Sequence, residues 1–229
     1  MKKITSLLIA LSLLFTLAFC ETAPESVNVF VSITDENGAI VLAHEEITVT
    51  DVDGNGAISI ADALMKAHMD KHENGAEAFK CADTEYGISL VLLWGVDNGG
   101  SYGYCVNDMS ALSLADPVNE GDHVKAYFYT DLIAWSDTYS FFDIAEAEGK
   151  VNTEFALTLS SNGYDEMWNP VVNTVAGAKI TVNGIETEIT TDAVGACTLT
   201  FEAAGVYVVS AVSESMNLVA PVCVITVTE

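Results

Sequence analysis

Ile47-Thr48-Val49-Thr50-Asp51-Val52-Asp53-Gly54-Asn55-Gly56-Ala57-Ile58-Ser59-Ile60-Ala61-Asp62 runs on into Ala63-Leu64-Met65-Lys66-Ala67-His68. Over these residues the chain changes from strand to helix. Ile47–Thr50 ends an extended segment that begins near Ala39. From Ser59 onward Ile60, Ala61, Leu64, Met65 and His68 recur at the 3.6-residue spacing of one helix face. Asn74-Gly75 supplies a stop for that helix. The twelve residues between match the EF-hand calcium loop position by position. Asp51, Asp53 and Asn55 bring side-chain oxygens at positions 1, 3 and 5, and Gly56 stands where the chain must turn sharply. Ala57 offers its carbonyl, Ser59 can hold a water, Ile58 is the inward apolar anchor, and Asp62 closes the shell at position 12. A hard cation takes six or more oxygens, so this spacing predicts Ca²⁺ as the one cofactor. Asp62 replaces the usual Glu, and the loop is entered from a strand, so half a hand is present. That placement predicts a structural ion that fixes a strand–helix corner, since sensors pair two hands.

Upstream, Val27–Ile33 alternates apolar and polar residues, Asp35-Glu36-Asn37-Gly38 is a turn, and Ala39–Thr50 returns as a second strand. Downstream, strands are expected at Ile88–Leu93, Tyr102–Asn107 and His123–Tyr129. Residues 26–145 therefore read as α+β, a sheet with one helix across a face. Residues 151–229 read as all-β: a hairpin turns at Asn183-Gly184, and short strands follow at Thr198–Phe201, Tyr207–Val212 and Val222–Val227. Such spacing argues for an antiparallel β-sandwich. Ala145–Lys150 is polar and is expected to link the two halves.

Composition bounds the function. The 229 residues hold eight lysines, no arginine and 33 acidic residues, a net charge of −25. Such a surface repels phosphate backbones, which excludes nucleic-acid binding. Lys2 and Lys3 precede the apolar run Ile4–Phe19, the pattern of a secretory signal peptide over residues 1–20. The run is short for a membrane span, and no second one follows, so no transmembrane segment is expected after the signal is removed. The protein is expected outside the cell or on its surface. Two processing outcomes fit: lipidation of Cys20, with Phe19 where a lipobox has a small residue, or cleavage that releases a soluble chain. Cys81, Cys105, Cys197 and Cys223 remain, and four cysteines allow three disulfide connectivities as well as free thiols.

Ten of the twenty aromatic residues fall within 94–142, from Trp94 to Phe142. Flat rings on a sheet could form a platform for a sugar ring or planar cofactor, but alternation within strands more simply puts half of them in the core. His68 and His72 stand four apart on the helix, a spacing that can hold Zn²⁺, but Met69 sits where a zincin has its glutamate. No Gly-x-Ser-x-Gly elbow, phosphate-cradling loop or paired Cys and His is present, so no catalytic residues are assigned and the chain is read as a non-enzyme.

The first hairpin, the helix at Ala63-Leu64, Ser101-Tyr102-Gly103-Tyr104-Cys105-Val106-Asn107 and Glu120-Gly121-Asp122-His123-Val124 leading into Lys125–Tyr129 resemble the transcobalamin-like C-terminal domain of secreted bacterial proteins. The resemblance covers about residues 26–145. It implies a β-grasp-like fold and, as a ligand, a corrinoid or another small molecule. The loop resembles one calcium repeat of a dockerin, and a dockerin needs two. Thr191-Asp192-Ala193-Val194-Gly195 and Ala204-Gly205-Val206-Tyr207 are similar to bacterial immunoglobulin-like modules. Together these imply an exported, calcium-stabilised binding or adhesion protein with an unknown extracellular ligand: protein, glycan or small molecule.

Overall fold

The computed structural model describes residues 25–229; the signal-like leader and Cys20 lie outside the described residues. The chain is predominantly β, with one α-helix among the described residues. Strands β1 (Val27–Thr34) and β2 (Ile40–Val49) form an antiparallel hairpin. Asp35 closes its turn by accepting the amides of Asn37 and Ala39 at 2.9 and 2.8 Å, with Gly38 left-handed at φ +77°. Helix α1 (Ile60–Lys71) follows, capped by Ser59. Its apolar stripe, Ile60, Ala63, Leu64 and Ala67, is buried, as the sequence spacing requires. Burying each large aliphatic of this stripe contributes about 2 kcal/mol.

Next, β3 (Lys80–Thr84) and β4 (Gly87–Leu92) pair as a two-stranded ribbon, and β5 (Tyr102–Val106), β6 (Met109–Ser110) and β7 (His123–Phe128) complete the first sheet. That sheet has the order β2-β1-β7-β5-β6, with β1 and β7 parallel and the other pairs antiparallel. The helix lies against β1, β2 and β7. Val29, Val31, Ile33, Val124, Ala126 and Phe128 pack beneath it in one core.

Every residue of β7 is buried, so both faces of the sheet are covered. The second region supplies the other cover. It comprises β8 (Asp137–Phe142), β9 (Glu146–Lys150), β10 (Glu154–Tyr164), β11 (Pro170–Thr174), β12 (Lys179–Val182), β13 (Ile185–Thr190), β14 (Ala196–Thr200), β15 (Gly205–Val212), β16 (Asn217–Val219) and β17 (Cys223–Thr228). One sheet runs β11-β10-β8-β16, with β14 also on β10; the other runs β13-β12-β15-β17-β9. Leu157, Leu159 and Leu199 of the first share a core with Ile180, Val209, Ile225 and Val227 of the second. The Asn183-Gly184 turn is left-handed at both residues, φ +50° and +76°, as a two-residue hairpin demands.

Two organisational expectations are corrected. The acidic segment read as a linker is strand β9, hydrogen-bonded in parallel to the edge of β17. Edge pairing uses backbone groups alone, so Glu146 and Glu148 can face water while the strand still forms. Strand β8 lies within the span assigned to the first half, yet pairs with β10 and β16 of the second region.

The two regions meet at a sealed seam. Cys105 and Tyr127 of the first sheet pack on Tyr139 and Val219. Asp108 accepts from Lys125 Nζ at 2.6 Å and from Tyr139 Oη at 2.7 Å, and Asn162 Nδ2 donates to its carbonyl at 2.8 Å. Burial pushes the Cys105 thiol up to about 11, so it is an inert packing residue. Cys105, Cys197 and Cys223 are buried free thiols, and Cys81 is an exposed one.

Candidate metal centre

Strand β2 ends with Val49 buried, which fixes where the acidic loop begins. The loop ends where Ser59 caps α1. Between them the backbone folds over its own aspartates. Asp51 accepts from the amides of Gly54 and Asn55 through Oδ1, at 2.8 and 3.0 Å, and from Gly56 through Oδ2 at 2.7 Å. Those bonds, Gly56 foremost, hold its carboxyl below the usual range. Gly54 and Gly56 take φ of +74° and +90°, conformations a side chain would resist. Asp53 accepts from the Asn55 amide at 3.0 Å and from its Nδ2 at 2.9 Å. Asn55 Oδ1 in turn accepts from the Ala57 amide at 2.9 Å.

Asp62 is the anchor. It is 2% exposed, on the first turn of α1. Its Oδ1 accepts from the Val52 amide at 2.8 Å, and its Oδ2 from the Ser59 amide at 2.9 Å and hydroxyl at 2.6 Å. Ser59 and Asp62 thus form a reciprocal capping box, so the Ser59 hydroxyl is spent on the helix end. Ile58 is buried in the core beneath the loop. The exit is tied down by backbone bonds to a second segment: Ile60 to Asp116 at 3.1 Å, Ala61 to Leu114 at 2.9 Å, and Val118 to Ile58 at 3.1 Å.

One carboxylate oxygen each from Asp51, Asp53 and Asp62 lies within 4.8 Å of the other two. No Lys or His forms an ion pair with any of the three among the described residues. At that separation each pair of charges repels by about 1 kcal/mol even at the dielectric of water. An ionised carboxylate has about four lone-pair sites, so the loop bonds leave oxygens free to accept a cation. The donor set is all oxygen, the chemistry of a hard divalent ion and not of zinc or copper.

The helix histidines do other work. His68 is fully buried; its Nδ1 donates to the Leu64 carbonyl at 2.6 Å and its Nε2 accepts the Trp94 amide at 2.9 Å. Both ring nitrogens are used, and burial lowers its pKa to about 4. It pins α1 to the turn after β4 and is not available to a metal. His72 Nδ1 accepts the Asn74 amide at 3.1 Å. Half of the ten aromatic residues, Tyr102, Tyr127, Phe128, Tyr139 and Phe142, are buried, as alternation within strands implied, and no platform is gathered on the sheet. The most exposed of the ten is Trp135, in the loop before β8, and sequence reading passed over Tyr164 and Trp168, both well exposed.

A cleft of about 840 Å³ opens between the two regions, lined by Glu36–Ala43 of the first hairpin and by Thr181, Asn183, Val208 and Ser210 of the second region. Comparison with protein-family models, curated proteins and solved structures finds no match for this chain.

Proposed function

We propose that the chain is an exported, non-catalytic binding or adhesion protein, acting outside the cell or at its surface, whose first region is stabilised by Ca²⁺. The single observation that carries the calcium reading is the meeting of three aspartate oxygens within 4.8 Å at a strand–helix corner, with no Lys or His paired to them among the described residues. Asp51, Asp53 and Asp62 would hold the ion, with Asn55 and the Ala57 carbonyl completing an oxygen shell and Ser59 acting through the helix cap. The ion would supply positive charge that relieves their repulsion. The order β2-β1-β7-β5, with parallel β1 and β7 under one helix, supports a β-grasp-like first region. The two facing sheets of residues 137–228 support an immunoglobulin-like second region. Export rests on the leader, with Cys20 as the candidate lipid anchor.

Thermal unfolding in calcium and in chelator tests the site. The midpoint should rise with calcium, and Asp51→Ala with Asp53→Ala should remove the response. Equal midpoints in both solutions would reduce the loop to an ordinary capped turn.

A second reading has its own support. The inter-region cleft is within the size range of small-molecule sites. Capture of a corrinoid-like ligand would leave its visible absorbance with the purified protein after desalting. A colourless protein would end that reading.

A further inference from the structure

We propose that the paired tryptophan loops at one end of the second region form a binding site for a cationic polypeptide segment, with arginine or lysine side chains laid over Trp135 and Trp168. The proposal rests on the binding-protein reading above and does not depend on the calcium site.

Strands β8 and β10 are antiparallel, so the loop entering β8 and the loop leaving β10 emerge at the same end of their sheet. The first presents Ile133 and Trp135, 94% and 57% exposed; the second presents Met167 and Trp168, 78% and 81% exposed. Both tryptophans are held left-handed, at φ +54° and +62°. A bulky residue avoids that region, and glycine or asparagine is the ordinary occupant. Trp94 is left-handed as well, but its ring packs against His68 and His72 beside the core. The outer pair gain no comparable burial. Strained positions filled by exposed large side chains point to function.

Each loop is held by an aspartate. Asp131 accepts from the amides of Ile133 and Ala134 at 3.1 and 2.9 Å and from the Ser136 hydroxyl at 2.7 Å. Its carbonyl takes the Trp135 amide at 3.0 Å. Asp165 accepts from the amides of Met167 and Asn169 at 2.8 and 2.9 Å, and its carbonyl takes the Trp168 amide at 3.0 Å. Tyr129 stands edge-on to Trp135 at 5.6 Å, and Tyr164 lies 6.1 Å from Trp168. The rings are therefore set before any ligand arrives, which lowers the entropy cost of binding.

Charge selects the occupant. Residues 130–137 and 164–170 contain Asp131, Asp137, Asp165 and Glu166 and no Lys or His. Loop hydrogen bonds hold the Asp131 carboxyl near 2 and lower that of Asp165, so both are anionic at any physiological pH. Exposed indoles in loops that carry carboxylates and no cationic side chain are complementary to guanidinium and ammonium groups. The same charge opposes anionic lipid and sulfated sugar.

The test titrates the full chain, in calcium and in chelator, with a synthetic decapeptide alternating Arg and Gly, followed by isothermal titration calorimetry, because the variants remove two of the three tryptophans. Saturable binding is expected, weakened at least tenfold in the Trp135→Gly, Trp168→Gly double variant. Tyr86→Ala, on the exposed β3–β4 ribbon, should bind as the parent does. Trp168→Gly alone should lose affinity while its thermal midpoint stays level or rises, because glycine relieves the left-handed strain. If the double variant unfolds, this single variant decides. Binding unchanged in the tryptophan variants would overturn the proposal, since general charge attraction then suffices. Binding heat with neutral oligosaccharides or phosphatidylcholine vesicles, and none with the peptide, would also overturn it. A missing calcium response leaves the peptide result unaffected, so the two readings fail separately.

Discussion

The acidic loop of the first region and the tryptophan loops of the second use one local device for different ends. In each, an aspartate accepts amides two to five residues ahead and so fixes a tight turn. In the first region the left-handed positions are Gly54 and Gly56, which adopt them without strain. In the second they are Trp135 and Trp168, which do not. The first loop gathers three carboxylates into 4.8 Å, while in the tryptophan loops Asp131, Asp137 and Asp165 are spent on loop amides beside an exposed ring. One arrangement concentrates charge and needs a counter-ion; the other displays apolar surface and needs a partner. The clasp sets the loop's shape, and the residues at the left-handed positions set what it can meet.

The regions also differ in their response to acid, where the largest effect is expected. All four histidines lie in the first region. Burial holds His44 and His68 at about 4 and His123 at about 2, with Lys125 adding to the effect at His44 and His123. His123 Nε2 meets Ser32 Oγ at 2.8 Å and His44 Nδ1 at 3.4 Å, in the seam. Glu146 lies 3.8 Å from His44 Nε2, but it is largely exposed and its attraction is screened. The folded pKa values lie below the unfolded 6.5, so the unfolded chain takes up protons first as pH falls. Stability is thus full above about 6.5 and is lost between about 6.5 and 4, by up to roughly 1.4 kcal/mol per pH unit for each group. Chemical denaturation should show one coupled transition at pH 7, with the first region unfolding ahead of the second only as pH falls to 5 and 4. A pH-independent midpoint for the first region would break the comparison.

Next in size is Asp108→Ala. It leaves Lys125 buried without its partner and removes the acceptor of Tyr139, at a cost of about 3 kcal/mol. Calorimetry should resolve one transition in the parent and two in the variant, since the seam is what joins the regions. A single transition in both would locate the coupling elsewhere.

A smaller effect separates the two roles of the acidic loop. Asp62→Ala removes its half of the capping box and the Val52 contact, costing about 2 kcal/mol in chelator, and more in calcium because a ligand goes too. Asp53→Ala touches an exposed side chain and should be nearly neutral in chelator, while reducing the calcium response. Equal losses for both in chelator would show that the loop is held as a unit and not by its buried end. Smallest is Trp168→Gly, expected to leave stability level or raise it by up to about 1 kcal/mol in urea unfolding.

Much of this was legible in the chain itself. The helix face followed from its spacing, whereas the capping box of Ser59 and Asp62 was passed over because both residues were read as positions of the calcium loop. The Asn183-Gly184 hairpin was specified by residues that tolerate positive φ. The histidine pair, which lacks a zincin's glutamate, lies at the core edge, and the Trp94 amide on the second nitrogen of His68 is a partner that spacing on a helix does not show. Alternation within strands pointed to burial of half the aromatic residues, but local density did not say which rings a second layer would cover.

The sequence by itself determined the local devices: period-two strands, one period-3.6 helix, aspartate-clasped turns, glycines where the chain turns left-handed, and an overwhelmingly acidic surface. These depend on residues within a few positions of one another, so composition and spacing suffice. Only the tertiary structure decided that β9 is a strand, that β8 belongs with β10 and β16, and that Asp108, Lys125 and Tyr139 meet in a seam. It alone set Trp135 and Trp168 at one end of a sheet. Those outcomes turn on backbone hydrogen bonds and buried contacts between residues far apart in the chain, to which each local stretch contributes only one partner.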